Sequence, residues 1–180
     1  MATTPSTVRS PALTSPLNIF LLGLLAGVGL FYFVVGSFTH DLLWFWPVFN
    51  QQPSEIVIHC YGQAVHINPD SPHFIPLTHV INQQLSAERR VDDASISTEA
   101  YDTLLQSQTT VSIEMRFSQP IRIHSHRSYL SNVDTLLILL SGEENRWARL
   151  YGVRDGISMP GSLRVANSQA IADFLLQQAL

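Results

Sequence analysis

His124 and His126 flank Ser125, and in an extended strand that spacing turns both imidazoles to one side, together with Arg122. Two histidines so placed can chelate zinc or copper once a third ligand converges on them, and His59 or His66 could supply it. The guanidinium of Arg122 opposes a metal ion on that face, and H-x-H is a short pattern, so a solvated polar strand is the competing expectation. His66 and His73 bracket Asp70 and Ser71, the residue types of a nucleophilic triad. Such groups must converge in space, however, and no G-x-S-x-G elbow is present. Asp70 or Ser71 is better placed to cap a helix. The acid pairs Asp92/Asp93 and Glu143/Glu144 fall in polar turns, where solvated carboxylates are ordinary.

Several chemistries are excluded outright. All ten basic residues are arginine, so no lysine can form a Schiff base or serve a P-loop. Cys60 is the single cysteine, which rules out an intrachain disulfide and a thiolate zinc site, and its apolar neighbours mark it as a small core residue. No G-x-G-x-x-G, H-E-x-x-H or EF-hand pattern occurs. No catalytic residue and no cofactor is therefore specified, and the balance falls on the side of a non-enzymatic protein. A net charge of −4 gives no reason to expect nucleic acid as a partner.

The elements that would position these residues divide sharply. Residues 17–38 (LNIFLLGLLAGVGLFYFVVGSF) contain no ionisable side chain and no polar face. About twenty helical residues cross a hydrocarbon layer of roughly 30 Å, so this segment is expected to be a transmembrane anchor in contact with lipid. It is too long for a cleaved signal sequence, whose apolar part runs to about 7–15 residues. Trp44, Phe45, Trp46 and Phe49 follow it as an aromatic belt, and Pro47 stops any helix there. Arg9 precedes the span, Asp41 follows it, and the next arginine is Arg89, a bias that puts the N-terminus in the cytoplasm and the C-terminal part outside. Gly23 and Gly27 form a G-x-x-x-G pair, a device by which two such helices can dimerise. Residues 1–16, with three prolines, read as a disordered tail, and residues 39–54 as an interfacial segment and linker.

Residues 55–180 then show the periodicities of a soluble α+β domain with a mainly antiparallel sheet and about three helices. Two strands are expected at 56–58 and 64–67 around a glycine turn. A helix follows from Asp70 or Ser71 to about Ser86, with Phe74, Leu77, Ile81 and Leu85 inward. Residues 89–93 read as a polar connection, and a second helix starts at Ser97 with Tyr101, Leu104 and Leu105 inward. From Thr109 a half-buried strand alternates Val111, Ile113, Met115 and Phe117 with Ser112, Glu114 and Arg116 on a solvated face, until Gln119-Pro120 breaks it. Residues 136–140 (LLILL) suit a strand covered on both faces, paired with 147–153. Asp155-Gly156 and Pro160-Gly161 mark turns before a strand at 163–165, and Asn167 caps a last helix over a sheet covered on one face.

The run at residues 134–142 (DTLLILLSG), followed by an aromatic strand and a terminal helix, resembles bacterial proteins with a single N-terminal anchor and an extracytoplasmic domain of no assigned activity. The resemblance covers about the last third of the chain. It implies a bacterial, extracytoplasmic, non-enzymatic domain. The anchor, the short linker and the lack of catalytic signatures point to a membrane-tethered binding or accessory domain that contacts an envelope protein or an extracellular ligand. A metal-dependent enzyme or metal-binding protein using His124 and His126 is the alternative.

Overall fold

The computed structural model describes residues 15–39, 48–86, 89–92, 94–124, 130–140, 147–166 and 168–178. Two compact units divide the chain, Met1–Leu42 and Leu43–Leu180. In the first, helix α1 runs Pro16–Thr39, 24 residues without an acidic or basic side chain at either end. At 1.5 Å per residue it is about 36 Å long, enough to cross a bilayer. Only 6% of its most apolar stretch is buried, so it is not the core helix of a soluble fold. The Ser37 hydroxyl donates to the Phe33 carbonyl at 2.8 Å, which satisfies a polar group that lipid could not. Trp44, Phe45 and Trp46 of the expected aromatic belt lie outside the described residues, whereas Phe49, expected to belong to it, is buried in the core of the second unit.

The second unit is α+β, as the sequence predicts. Strands β1 (Glu55–Cys60) and β2 (Gln63–Ile67) lead to helix α2 (Phe74–Ser86) and strand β3 (Arg89–Asp92). Helix α3 (Thr98–Leu105) precedes β4 (Val111–Arg122), β5 (Ser131–Leu139), β6 (Trp147–Arg154), the two-residue β7 (Ile157–Ser158), β8 (Ser162–Ala166) and helix α4 (Gln169–Gln177). The strands form one sheet in the order β2-β1-β4-β5-β6-β8-β3, with β7 paired to β6 beside that path. Every pairing is antiparallel. Tight turns close two of the hairpins. Tyr61 and Gly62 have φ of 50° and 83°, and Asp155 and Gly156 have φ of 51° and 75°, the left-handed pair whose twist matches that of antiparallel strands.

Helices α2 and α4 cover one face. Phe74, Leu77, Ile81 and Leu85 of α2 and Ile171 of α4 meet Ile58, Met115, Leu136, Ile138 and Leu150 of the sheet in the main core. Ser97 starts α3 by accepting the Ala100 N–H at 3.1 Å. This helix lies on the opposite face, where Tyr101 packs with Leu137, Tyr151 and Val153.

Five expectations need correction. Residues 89–92 are not a polar connection but the edge strand β3, in register with Ser162–Val165 of β8. A charged edge strand has the same composition as a loop, so polarity alone cannot separate them. Pro120 does not end β4, because a register irregularity between Arg116 and Ile121 absorbs it and the strand continues to Arg122. The sheet is covered on both faces where α3 lies, and Ser112 and Glu114 are buried instead of solvated. Cys60 is half-buried at the end of β1, beside the hairpin, and not within the core. Helix α4 begins at Ser168 without a side-chain cap, and Asn167 lies outside the described residues.

Candidate functional site

Among the described residues, the densest group of ionisable side chains lies on the α3 face of β1 and β4. Strand register places Val57 opposite Glu114 and Glu114 opposite Leu137. On this face β1 contributes Glu55, Val57 and His59, and β4 contributes Ser112, Glu114 and Arg116. Glu114 is 3% exposed, and α3 lowers Tyr101 onto it. A buried carboxylate must be paired and hydrogen-bonded to stay charged. Glu114 achieves this with four donors. The Tyr101 hydroxyl donates to Oε1 at 2.8 Å, Arg116 Nε donates to Oε1 at 3.1 Å and Nη2 to Oε2 at 3.0 Å, and His59 Nε2 lies 3.1 Å from Oε2. Arg116 then reaches outward, its Nη1 donating to Glu55 Oε2 at 2.9 Å, and Glu55 Oε1 meets His66 Nδ1 at 2.6 Å. A chain of contacts thus runs from a buried tyrosine to a surface histidine.

The electrostatics follow from this geometry. Burial alone would raise the Glu114 pKa, but the hydrogen bonds from His59, Arg116 and Tyr101 and the charge of Arg116 outweigh it and bring it down to about 2. The Tyr101 phenol is pushed far up, first by burial and then by the negative charge of Glu114. Hydrogen bonding to Glu114 raises Arg116 further, and the His66 contact lowers Glu55. A carboxylate this firmly ionised and a phenol this firmly protonated cannot exchange protons near neutral pH. The cluster is a polar clamp joining α3, β4 and β1.

The expected metal ligands are not gathered here. His59 and His66 are each engaged with a carboxylate of the cluster. His124 follows the end of β4, ten residues beyond Glu114 in sequence. His126 lies outside the described residues. Among the described residues no three His, Cys, Asp or Glu side chains sit close enough to hold a metal ion. Of the Asp70/Ser71 pair, Ser71 acts at the start of α2. The Ser71 carbonyl accepts the Phe74 N–H at 3.1 Å, and its hydroxyl meets the His73 N–H at 3.4 Å.

Among the described residues, two surface grooves flank the sheet. One, of about 510 Å³, lies between the end of β4 and the β6–β7 hairpin and carries Arg122, Ser131, Asn132 and Arg154 beside Ile121 and Met159. With its amide turned to satisfy both groups, the Asn132 oxygen accepts from Nη1 and Nη2 of Arg154 at 3.1 Å each. Arg154 Nε also faces Asp155 at 3.6 Å, and Asp155 is itself fixed because its N–H donates to Asp134 at 2.6 Å. The other groove, of about 390 Å³, runs between residues 50–52 and α2. There Asn82 Nδ2 donates to the Gln51 carbonyl at 3.0 Å, and the Ser86 hydroxyl bonds both the N–H and the carbonyl of Phe49.

No protein-family model and no curated protein matches the chain. Among solved structures it is similar to YycH from Bacillus subtilis, with a TM-score of 0.50 and 17% sequence identity. The match covers 71% of this chain and 38% of that one, so this chain spans well under half the length of the YycH structure. At this identity the likeness is one of fold. It supports the α+β architecture and assigns no role to Glu114, Arg122 or Arg154.

Sequence reasoning missed Glu114. The available signal was a single acid inside the apolar alternation 111–117, with an inward-facing tyrosine on the preceding helix whose hydroxyl would need a partner when buried.

Proposed function

We propose that the chain is a membrane-tethered binding or accessory domain, with residues 17–38 as its anchor, 39–54 as interfacial segment and linker, and 55–180 as an extracytoplasmic domain that contacts an envelope protein. The observation that carries this reading is α1, apolar over its whole length and exposed along nearly all of it. A helix of that kind needs lipid or a protein partner to cover it. Further support comes from the polar cluster, whose ionisable groups join α3, β4 and β1. The orientation rests on Arg9 alone. Self-association through Gly23 and Gly27 rests on their G-x-x-x-G spacing alone.

Photo-crosslinking in intact membranes tests the proposal, with the reactive residue at Arg154 in the larger groove or at Ile157, which is 64% exposed. The expected product is an adduct with a second membrane or surface protein. Recovery of no other protein from either position would overturn the partner-binding reading.

A further inference from the structure

The two edges of the sheet are built differently. At one end β3 reads Arg-Arg-Val-Asp, three charged residues in four, the composition with which proteins guard an open edge against strand addition. At the other end β2 reads Gln-Ala-Val-His-Ile, with no acidic residue, no arginine and no proline. Four of its five residues are exposed, Val65 at 40%, and Tyr61 in the adjoining turn is 62% exposed. Among the described residues β2 pairs with β1 on one side and with no strand on the other.

The register fixes which backbone groups this open side offers. Cys60 pairs with Gln63 across the two-residue turn, Ile58 with Val65 and Ile56 with Ile67. In such a hairpin the closing pair exchanges hydrogen bonds and every second pair does so thereafter, so Gln63, Val65 and Ile67 bond inward. Ala64 and His66 therefore turn their N–H and C=O groups away from β1.

We propose that β2 docks a second copy of this chain, the two β2 strands pairing antiparallel about Val65 and joining two sheets into one. With a two-fold axis at Val65, Ala64 of each copy meets His66 of the other and the outward groups of both are satisfied. Val65 faces Val65 of the second copy as a non-hydrogen-bonded pair. No formally charged residue of β2 meets another in this register, and the His66 ring remains turned to Glu55 of its own chain. The contact is isologous and closes at two copies. An edge of five residues is a small interface in solution. The proposal rests on the reading of α1 as an anchor, since two copies held in one membrane meet at a raised effective concentration that favours a small interface.

The full-length chain in lipid vesicles provides the test. In a Cys60→Ser background, Val65→Cys should form a disulfide-linked dimer on mild oxidation, because facing residues of a non-hydrogen-bonded pair have Cα atoms about 4.5 Å apart. Gln63→Cys should not, since the two-fold axis sets it opposite Ile67. Ala64→Pro removes an outward N–H that no intrachain pairing uses, so it should leave the melting temperature unchanged and lower the dimer fraction at least tenfold. A dimer undiminished by Ala64→Pro, as association through α1 alone would give, overturns the proposal. So do the absence of a Val65→Cys crosslink and capture of a different protein on this edge.

Discussion

Replacing Glu114 with glutamine removes one negative charge from the cluster while keeping the size and shape of the side chain. Glu114 is held at about 2 against an ordinary 4.5, a difference worth about 3 kcal/mol at about 1.4 kcal/mol per pH unit. Removing one partner of a buried ion pair commonly costs about 3–5 kcal/mol because the other charge is stranded. Here Arg116 is 44% exposed and keeps Glu55, so the lower end applies and the expected loss is about 3 kcal/mol. That is a large share of the 5–15 kcal/mol typical of a domain. The pH dependence has a definite sign. A carboxylate with a depressed folded pKa contributes all of its stabilisation above about pH 4.5 and loses it as pH falls toward 2. Urea titrations of the full chain in detergent micelles, followed by tryptophan fluorescence between pH 2 and 7, measure both effects. Glu114→Gln should lose about 3 kcal/mol at pH 7 and show a shallower decline in acid than the parent. Equal stabilities at pH 7, or parallel acid limbs, would refute the view that the cluster clamps the fold.

Tyr101→Phe should cost about 1.5–3 kcal/mol by denaturation, since its hydroxyl donates to a charged acceptor. In the Glu114→Gln background the same change should cost clearly less, and a double-mutant cycle gives the coupling. Gly152→Ala should destabilise by about 1–3 kcal/mol, because the added Cβ would lie 2.7 Å from Leu130 Cδ2 and 2.8 Å from Val133 Cγ1, both fully buried. Leu137→Ala should cost about 2–5 kcal/mol in the same assay, with the cavity opening under Tyr101. Zinc added to the full chain should leave its melting temperature unmoved; a rise abolished by substituting His124 and His126 would establish the metal-binding alternative.

The fold was legible where periodicity was strong. The four residues expected to face inward in α2 are all buried there, joined by Thr78 and Asn82, and the LLILL strand is covered on both sides at Leu136, Leu137 and Ile138. Ser97 starts α3, and Asp155-Gly156 makes the predicted turn. Failures occurred where a residue's environment is set by tertiary contact. Arg89–Asp92 looks polar because an edge strand may be charged, and pairing with β8 is a long-range event that local composition does not encode. Glu114 sits at an alternation position that would be solvated on a one-sided sheet. Only the arrival of α3 on that face, with Tyr101, turns it into a buried ion. His59 reaches Glu114 and His66 reaches Glu55 by strand register, a relation that sequence separation hides.

The central claim is that α1 anchors a domain lying outside the cytoplasm. A reporter enzyme active only outside the cytoplasm, fused after Leu180 and expressed with the intact chain, tests it most directly. The account predicts activity in the membrane fraction that survives alkaline extraction. Activity confined to a matching cytoplasmic reporter, or release of the fusion on extraction, would contradict it.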